Sequence, residues 1–416
     1  MKKQVAVIGG GAAGLTAAIW AARSGASVTV LEHTDRVGKK ILSTGNGRCN
    51  LTNAKMEASC YRSGDPQFPM AVISQFGWKD TLRWFASMGL LCHNRMETYY
   101  YPLSDQASAV LDCLRMECAR LGVTIRTNFS PEKIRRVREG KRALYQISGG
   151  GETVQADAVI LACGSKAAPN TGSDGSGYDL AKALGHRIIK PLPALVQLRC
   201  QGNHYRQLTG IRTDADLRLL VNDQELWRER GELQITDYGI SGIPVFQLSR
   251  FAARGLDEGK KVRVLIDFLP AMDVKESRIF LEERFREFGH RNGEDFLTGV
   301  LHKKLAIVLL KMAGIRLDQP VSAASRRQQE HLLRAIKEYE ALVSSVNPFA
   351  NAQVCCGGVD VHQVDSATME SKVAPEIYFA GEILDVDGIC GGYNLQWAWS
   401  SGKVAGCRAA QRRRQE

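Results

Sequence analysis

The sequence predicts an α/β fold built on a doubly wound parallel sheet, and three observations support this expectation. The chain opens with an apolar run at 5–8, a glycine turn and an alanine-rich segment, which is how a parallel-sheet unit begins. Similar runs recur at 158–162 and 377–380, and such runs are typical of strands buried on both faces. Between these two runs the sequence becomes first β-rich and then helical. We therefore expect one sheet domain with a two-part insertion.

The elements of the sheet domain follow in chain order. A helix over 15–23 comes after the glycine turn, because alanine favours helix and Gly25 is suited to end it. A strand over 27–31 then completes a βαβ unit. The later elements are a helix over 111–121, a strand over 123–125, a hairpin of 143–147 with 153–155, the strands over 158–162 and 377–380, and a final helix over 395–411.

The insertion is expected to have two parts. Alternating segments such as 217–221 and 262–268 make its first part β-rich. Its second part is predicted to contain helices over 276–288, 296–312 and 326–343. The predicted segments are the first part of the sheet domain at 1–190, a β-rich subdomain at 191–272, a helical subdomain at 273–346 and the second part of the sheet domain at 347–416.

Composition and charge exclude several classes of protein. The 416 residues are 44% hydrophobic and 24% charged, which excludes a disordered chain or a collagen-like repeat. The net charge is +11, from 55 Lys and Arg against 44 Asp and Glu. The densest basic run is Arg412 to Arg414, and the other basic residues are scattered among acidic ones without interleaved aromatics. We therefore expect a solvated surface and no nucleic-acid partner.

Cysteine usage and hydropathy predict a cytoplasmic protein without a metal site. The 11 cysteines include no C-x-x-C pair, which suits a reducing compartment and offers no zinc site. Cys355 and Cys356 are interpreted as two buried thiols in a strand, with a vicinal disulfide as the alternative. The uncharged stretch at 4–22 imitates a signal peptide, but its three consecutive glycines and the lack of a cleavage site argue against one. No membrane partner is expected.

The glycine turn carries the first functional motif. Residues 9–14 have the sequence GGGAAG and fit G-x-G-x-x-G between a strand and a helix. Here Gly9 allows the tight turn, Gly11 lets the backbone approach a pyrophosphate, and Gly14 lets helix and strand pack closely. Glu32 lies 18 residues after Gly14, at the end of the second strand, where a carboxylate accepts hydrogen bonds from an adenosine ribose. Together these parts predict a bound dinucleotide.

Other segments favour FAD over NAD. Glu32 disfavours a ribose 2′-phosphate and hence NADP at this site. The loop at 38–53 surrounds Arg48 with glycine, hydroxyl and amide groups, which suits a pyrophosphate and a polyol chain. Glu382 follows a predicted strand and is placed to bind a ribityl hydroxyl. The glycine turn at 388–394 opens the last helix, and the N-terminus of a helix stabilises negative charge on a flavin.

Six segments together resemble a known family. They are GGGAAG, STGNGRCNLTN, ACGSKAAPNTGSDGSGY, GISG, TMESK and AGEILDVDGICGGYNLQWAWSSG. They are similar to bacterial NAD(P)/FAD-dependent oxidoreductases, a family that includes aminoacetone oxidase and a 3-dehydro-bile acid delta(4,6)-reductase. The resemblance implies a Rossmann-like FAD-binding domain of the glutathione-reductase-like type. This domain would be discontinuous, interrupted by a β-barrel-like subdomain and a helical subdomain.

The resemblance and the glycine positions together imply a set of FAD contacts. The expected contact residues are Gly9, Gly11, Ala13, Gly14 and Glu32 at the adenosine-diphosphate half, Pro131 at the adenine, Lys40, Gly45, Arg48 and Asn50 near the pyrophosphate and flavin, Gly164, Gly381 and Glu382 along the cofactor, and Asn394 and Leu395 at the flavin edge. One departure concerns Asp237, which stands where many relatives have His. Pro244 also lies one place later than their proline. The role of that His is therefore not transferred to this chain.

The leading functional hypothesis is a reductase. NADH or NADPH would reduce the flavin, which would pass a hydride to a C=C conjugated to a ketone in a steroid-like substrate. Tyr238 and Tyr393 are the candidate catalytic proton donors, because each lies beside a glycine-rich turn expected to face the flavin. A packed structural tyrosine is the competing interpretation for both residues. The apolar residues of the insertion would wall a pocket for an apolar small molecule, or form core alone.

Two alternatives stay open. The glycine-rich segment at 172–177 lacks a preceding apolar strand, so nicotinamide would bind transiently or not at all. This favours a flavin amine oxidase that acts on a small amine such as aminoacetone and passes electrons to O₂. The basic charge and the Arg-rich C-terminus favour a third class, a flavin-containing RNA-binding or RNA-modifying protein.

Overall fold

The computed structural model describes residues 2–140 and 142–411. Arg412 to Arg414, the basic run noted above, lie outside the described residues. The chain divides into two compact units, one of Met1–Leu192 with Gln353–Glu416 and one of Pro193–Ala352. The finer division into four segments stays a prediction.

The secondary structure follows an α/β order in the first unit and a mainly β order, with helices inserted, in the second. The strands are β1 (Gln4–Ile8), β2 (Ser27–Leu31), β3 (Thr52–Asn53), β4 (Tyr61–Ser63), β5 (Cys92–Arg95), β6 (Tyr99–Pro102), β7 (Thr124–Arg126), β8 (Lys133–Glu139), β9 (Arg142–Gly149), β10 (Glu152–Ala156), β11 (Ala158–Leu161), β12 (Ile188–Ala194), β13 (Leu198–Cys200), β14 (Arg212–Val221), β15 (Gln224–Thr236), β16 (Gly239–Ser241), β17 (Val262–Asp267), β18 (Tyr339–Val346), β19 (Val354–Val359), β20 (Ile377–Phe379) and β21 (Val386–Gly388). The helices are α1 (Ala12–Arg23), α2 (Lys39–Ser43), α3 (Phe68–Ile73), α4 (Trp78–Ser87), α5 (Ala107–Arg120), α6 (Ser176–Ala183), α7 (Tyr205–Leu208), α8 (Ile243–Asp257), α9 (Val274–Phe288), α10 (Gly293–Phe296), α11 (Lys303–Met312), α12 (Arg326–Lys337) and α13 (Tyr393–Ala410).

A parallel sheet organises the first unit. Its strand order is β20-β11-β1-β2-β7, and every neighbouring pair is parallel. Within it, Val5 lies opposite Ala158 on one side and Val28 on the other. All these strands coincide with predicted ones, so the predicted Rossmann-type α/β fold is confirmed. The strand β20 joins the sheet from beyond the insertion, which makes this unit discontinuous in sequence.

Helices α1 and α13 pack closely in this unit because small residues line their contact. A β-carbon added at Gly406 would overlap the carbonyl oxygen of Ala17, and one added at Gly402 would lie 2.6 Å from that of Ala13. Ala17 and Ala18 are fully buried. The two helices therefore run in the same direction, with the first turn of α1 against the middle of α13.

The predicted hairpin is also present, as β9 with β10, and β8 extends it to an antiparallel sheet in the order β10-β9-β8. A second small sheet has the order β3-β6-β5, and β4 pairs with β21. Cys355 and Cys356 lie in β19 as buried free thiols, as predicted.

The second unit is a closed barrel in the order β13-β16-β15-β14-β17-β18, with a hydrophobic core of its own. The predicted β-barrel-like subdomain is therefore confirmed. The helices α9 to α12 occupy the chain between β17 and β18. The barrel thus closes only through a strand that follows the helical segment.

Two helix predictions for the insertion were wrong, and one helix was not predicted. The helix predicted over 326–343 ends at Lys337, because the following residues alternate between buried and exposed positions and pair with the barrel as β18. The helix predicted over 296–312 is interrupted, and α11 begins only at Lys303. The β-rich part also contains the helix α8, which buries an apolar stripe including Val245, Leu248 and Ala252.

The described residues lack two features. None of the helices they form is long and apolar enough to cross a membrane. The same residues contain no group of three or more His, Cys, Asp or Glu side chains placed to hold a metal ion.

Candidate cofactor and active site

The glycines of the turn between β1 and α1 differ in the space around them. Gly9 has a φ of +100°, and a β-carbon there would lie 2.5 Å from the Ala162 carbonyl oxygen. A β-carbon at Gly14 would overlap the Gly9 carbonyl oxygen. At Gly11, in contrast, no atom lies within 4 Å of the added β-carbon. Gly11 therefore borders open space at the N-terminus of α1, where unpaired backbone N–H groups attract an anion.

Glu32 is held at the end of β2 by the glycine turn. Its Oε2 accepts a hydrogen bond from the Gly10 N–H at 2.8 Å, and its Oε1 accepts one from the Thr34 N–H at 2.8 Å. The side chain is buried. The backbone N–H of Phe129 donates to the Glu32 carbonyl at 3.0 Å, which brings the segment that leads to Pro131 alongside β2.

Cys163 follows β11 close to this carboxylate. Burial and the nearby charge of Glu32 raise the pKa of the Cys163 thiol to about 12. The thiol donates to the Ile8 carbonyl at 3.5 Å. Cys163 is thus a neutral packing residue and not a thiolate nucleophile.

Lys40 and Glu382 form a cluster from three separate segments. The Lys40 Nζ lies 2.6 Å from Oε2 of Glu382, and the hydroxyl of Ser165 donates to the same oxygen at 3.2 Å. Ser165 follows Gly164, whose added β-carbon would lie 3.0 Å from the Ser173 hydroxyl. Both ionic side chains are about one-fifth exposed. The cluster is therefore shielded but open to a ligand.

Gly381 ties this cluster to the first helix. A β-carbon added at Gly381 would lie 2.6 Å from the Ala13 β-carbon. Its N–H donates to the Ser401 hydroxyl at 2.9 Å, and its carbonyl accepts from the Trp397 indole at 3.0 Å. Predicted site residues from both ends of the chain therefore meet within one unit.

The loop that follows α2 is docked against the start of α13. The Thr52 hydroxyl donates to Oε1 of Gln396 at 2.6 Å, and the Asn53 amide donates to the Gly391 carbonyl at 3.0 Å. Oδ1 of Asn50 is buried and has no hydrogen-bond partner among the described residues. A β-carbon at Gly392 would lie 2.8 Å from that oxygen. An acceptor without a donor therefore sits beside the N-terminus of α13.

The remaining predicted residues of this region have distinct positions. Gly45 lies where a β-carbon would approach the Asn50 backbone nitrogen at 2.9 Å. Arg48 is exposed. Asn394 closes its own loop, since its side chain accepts from the Gly388 N–H at 2.8 Å and donates to the Gly388 carbonyl at 2.9 Å. Leu395 is half-buried in the first turn of α13.

The two candidate tyrosines lie in different units. Tyr393 is only 4% exposed and packs edge-to-face on Tyr61 with ring centroids 5.9 Å apart, and burial raises the pKa of its phenol. Tyr238 belongs to the barrel unit, where its hydroxyl accepts from the Asn347 amide at 3.0 Å and Arg199 lies over its ring. Asp237 is exposed beside it. The catalytic roles of both tyrosines stay predictions.

Ser165 and Gln396 are residues of this site that no sequence pattern predicted. Ser165 meets Glu382 across 217 positions of sequence, and Gln396 meets Thr52 across 344. The only local signal for Gln396 is a polar residue directly before two buried tryptophans, Trp397 and Trp399. Such a signal identifies a buried polar group but not its partner.

Two observations show that this unit fits a flavin dinucleotide. The space at Gly11 is open where a pyrophosphate approaches a helix N-terminus, and the Asn50 acceptor lacks a donor. With the carboxylate of Glu32 at the end of the second strand, the fold and site define an FAD-dependent oxidoreductase of the Rossmann type. The chain belongs to the HI0933-like family, since the family model described as "HI0933-like protein Rossmann domain" matches residues 3–408.

Two curated relatives resemble the whole chain. The chain is 47% identical over 411 residues to a 3-dehydro-bile acid delta(4,6)-reductase of Clostridium scindens, covering 98% of this chain and 99% of that protein. It is 29% identical to a ribosomal RNA dihydrouridine synthase of Haemophilus influenzae, covering 95% of each. No aminoacetone oxidase is among these relatives, so that part of the resemblance is not supported by them.

A solved structure supports the fold alone. The 3-ketosteroid delta1-dehydrogenase of Sterolibacterium denitrificans, in complex with 1,4-androstadiene-3,17-dione, matches with a TM-score of 0.50 and 14% identity. The match covers 98% of this chain and 99% of that one. It extends over both units of the chain and is consistent with the α/β architecture described above.

Proposed function

We propose that this protein reduces a C=C conjugated to a ketone in a steroid-like substrate, with FAD as cofactor and NADH or NADPH as electron donor. The observation that carries the proposal is the 47% identity to the bile acid delta(4,6)-reductase, which extends over 98% of the chain. The 3-dehydro-bile acids named by that relative are the substrate class we rank first. They combine an apolar ring system with a conjugated enone.

The cofactor would contact the residues described above in order along its length. The N-terminus of α1 at Gly11 would receive the pyrophosphate, and Glu32 would accept from the adenosine ribose. Glu382, now paired with Lys40, would accept from the ribityl chain. The proposed contact set is Gly9, Gly11, Ala13, Gly14, Glu32, Lys40, Gly45, Arg48, Asn50, Pro131, Gly164, Gly381, Glu382, Asn394 and Leu395.

The chain contributes position and electrostatics to the reaction. Bound FAD supplies the hydride transfer itself. The N-terminus of α13 lies beside Asn50, and the backbone N–H groups of a helix N-terminus favour negative charge. The docking of residues 50–53 through Gln396 fixes this segment against α13. No titration of a protein group is needed for these contributions.

The test uses purified protein under anaerobic conditions. NADH or NADPH is expected to bleach the bound flavin, and a 3-oxo-4-ene or 3-oxo-4,6-diene bile acid is expected to restore its colour. Mass spectrometry should show a product that has gained two hydrogens per reduced double bond. Release of hydrogen peroxide with a small amine such as aminoacetone, and no enone reduction, would establish the oxidase alternative instead.

A second candidate function is the reduction of uridine in ribosomal RNA. It is favoured by the 29% identity to a ribosomal RNA dihydrouridine synthase, since dihydrouridine is uridine with a reduced C=C. The edge strand β8 adds exposed basic side chains at Lys133, Arg135, Arg136 and Arg138. Salt-sensitive binding of ribosomal RNA, with formation of dihydrouridine by the reduced protein, would establish this function. Enone reduction without either result would exclude it.

A further inference from the structure

A run of three tyrosines on β6 has no part in the site as described so far. Residues 99–101 are all tyrosine and all half-exposed. Because side chains alternate along a strand, Tyr99 and Tyr101 share one face of β6. Tyr100 is on the other face, where it stacks on Trp78 with ring centroids 5.5 Å apart. The three phenols therefore have different surroundings.

Tyr99 lies against the glycine turn that opens α13. A β-carbon added at Gly391 would lie 2.8 Å from Cε1 of Tyr99 and 3.2 Å from Cε2 of Tyr393. The strand register places Tyr99 opposite Asn53, whose amide donates to the Gly391 carbonyl. Tyr99 is thus held beside the glycine turn at the start of α13, where the unpartnered side-chain oxygen of Asn50 also lies.

The two tyrosines at this turn differ in access. Tyr393 is 4% exposed and its ring is packed on Tyr61, so a substrate has little access to its hydroxyl. Tyr99 is half-exposed, and its hydroxyl makes no hydrogen bond to any other described residue. The Tyr99 hydroxyl can therefore approach a ligand near Asn50 and the start of α13 without breaking an existing hydrogen bond.

We propose that Tyr99 is the catalytic proton donor for enone reduction. The inference rests on the proposed function. In the balanced step, the C=C π bond breaks, the carbon β to the ketone gains the hydride from reduced flavin, and the carbon α to the ketone gains the proton of the Tyr99 hydroxyl. Water then returns a proton to the phenolate. Two hydrogens are added to the substrate, and the flavin is oxidised.

The closing experiment separates proton donation from flavin reduction. Photoreduced protein is mixed anaerobically with a 3-oxo-4-ene steroid, and flavin reoxidation is followed. Tyr99→Phe keeps the ring on Gly391 and removes only the hydroxyl. It is expected to slow reoxidation by about 10²-fold or more, as loss of a general acid does.

Two readouts do not depend on turnover. FAD content of Tyr99→Phe should equal that of the unsubstituted protein. In the unsubstituted protein, nitration by tetranitromethane, mapped by mass spectrometry, should modify Tyr99, and a saturated 3-ketosteroid should protect it. Tyr100→Phe is the matched control, because Tyr100 stacks on Trp78 on the opposite face. It should reoxidise at the unsubstituted rate.

The possible outcomes are distinct. If the unsubstituted protein reduces no enone, the proposed function is wrong and the proton-donor role falls with it. If enone reduction is observed but Tyr99→Phe reoxidises normally, or if only Tyr393→Phe is slow, the function stands and the role of Tyr99 is overturned. Nitration of Tyr99 without protection by the steroid would also overturn it.

Discussion

Gly11 and Gly14 are three residues apart, yet their surroundings are opposite. Gly11 borders open space, whereas Gly14 is in contact with the backbone of Gly9. We expect Gly11→Val to purify folded but with little FAD, because its side chain would occupy the pyrophosphate space. Gly11→Ala should retain more FAD than Gly11→Val, because its side chain is smaller. Flavin absorbance per protein and the melting temperature of the FAD-free protein measure the two effects.

Gly14→Ala is the contrasting variant. Its β-carbon would overlap the Gly9 carbonyl oxygen, so the loss should appear in the stability of the FAD-free protein, as overpacked cores typically lose about 1–3 kcal/mol. Full flavin occupancy in Gly11→Val would refute the position assigned to the pyrophosphate.

His186 makes stability depend on pH. It is buried, packs edge-to-face on Phe379 and is within 2.9 Å of the Ser371 hydroxyl. Burial lowers the pKa of its imidazole to about 4, below the ordinary value of about 6.5. The unfolded chain therefore binds more protons between these values, so stability falls as pH drops from about 6.5 to 4, by about 3 kcal/mol in all.

Urea denaturation across that pH range tests this linkage. His186→Gln should flatten the dependence on pH, because glutamine does not titrate. His331→Gln is the matched control, since His331 is exposed, and it should leave the slope unchanged. An equal slope in His186→Gln and the unsubstituted protein would contradict the assignment.

At the scale of elements, one side chain joins α13 to three other segments. The Gln396 carbonyl accepts from the Thr52 and Thr81 hydroxyls at 2.6 and 3.1 Å, and its amide donates to the Phe76 carbonyl at 3.0 Å and the Ser400 hydroxyl at 2.9 Å. We expect Gln396→Leu to lower the free energy of unfolding by about 3 kcal/mol, because it leaves buried polar groups unpaired.

Gln396→Leu should also weaken the binding of FAD. The loop of Asn50 to Asn53 is docked on α13 partly through Gln396, so flavin retention should fall along with stability. Urea unfolding and flavin content measure both effects. Arg408→Ala, an exposed change in the same helix, should stay within about 0.5 kcal/mol. Normal flavin retention in Gln396→Leu would show that the hydrogen bonds of Gln396 do not determine the position of this loop.

Elements were predictable where their signals are local. The strands of the parallel sheet and the motif around Gly9 and Glu32 are readable from short stretches, because burial on both faces and a tight turn restrict residue type. The strand at 339–346 could not be predicted from the sequence. Ala341 and Leu342 favour helix, and the segment is a strand because it pairs with β13 and β17. Long-range partnerships such as that of Ser165 with Glu382 leave no local pattern.

At the scale of the whole molecule, each unit has a separate hydrophobic core. All proposed FAD contacts lie in the unit of Met1–Leu192 with Gln353–Glu416. A ligand stabilises the structure that it binds, so removal of FAD should increase amide hydrogen exchange in β1, β11 and the start of α13. The barrel strands β14 and β17 should keep their protection. Equal loss of protection in both units would contradict this prediction.

The two neighbouring strands β11 and β20 are far apart in sequence, so the ribosome synthesises them at different times. Its neighbour β11 ends at Leu161 and β20 begins at Ile377. At about 5–20 residues per second, a ribosome needs roughly 10–40 s to cover that interval. During this time the apolar edge of β11 emerges without its partner, and such edges promote aggregation. Nascent chains should therefore depend on chaperone protection until the second part of the sheet domain has been made.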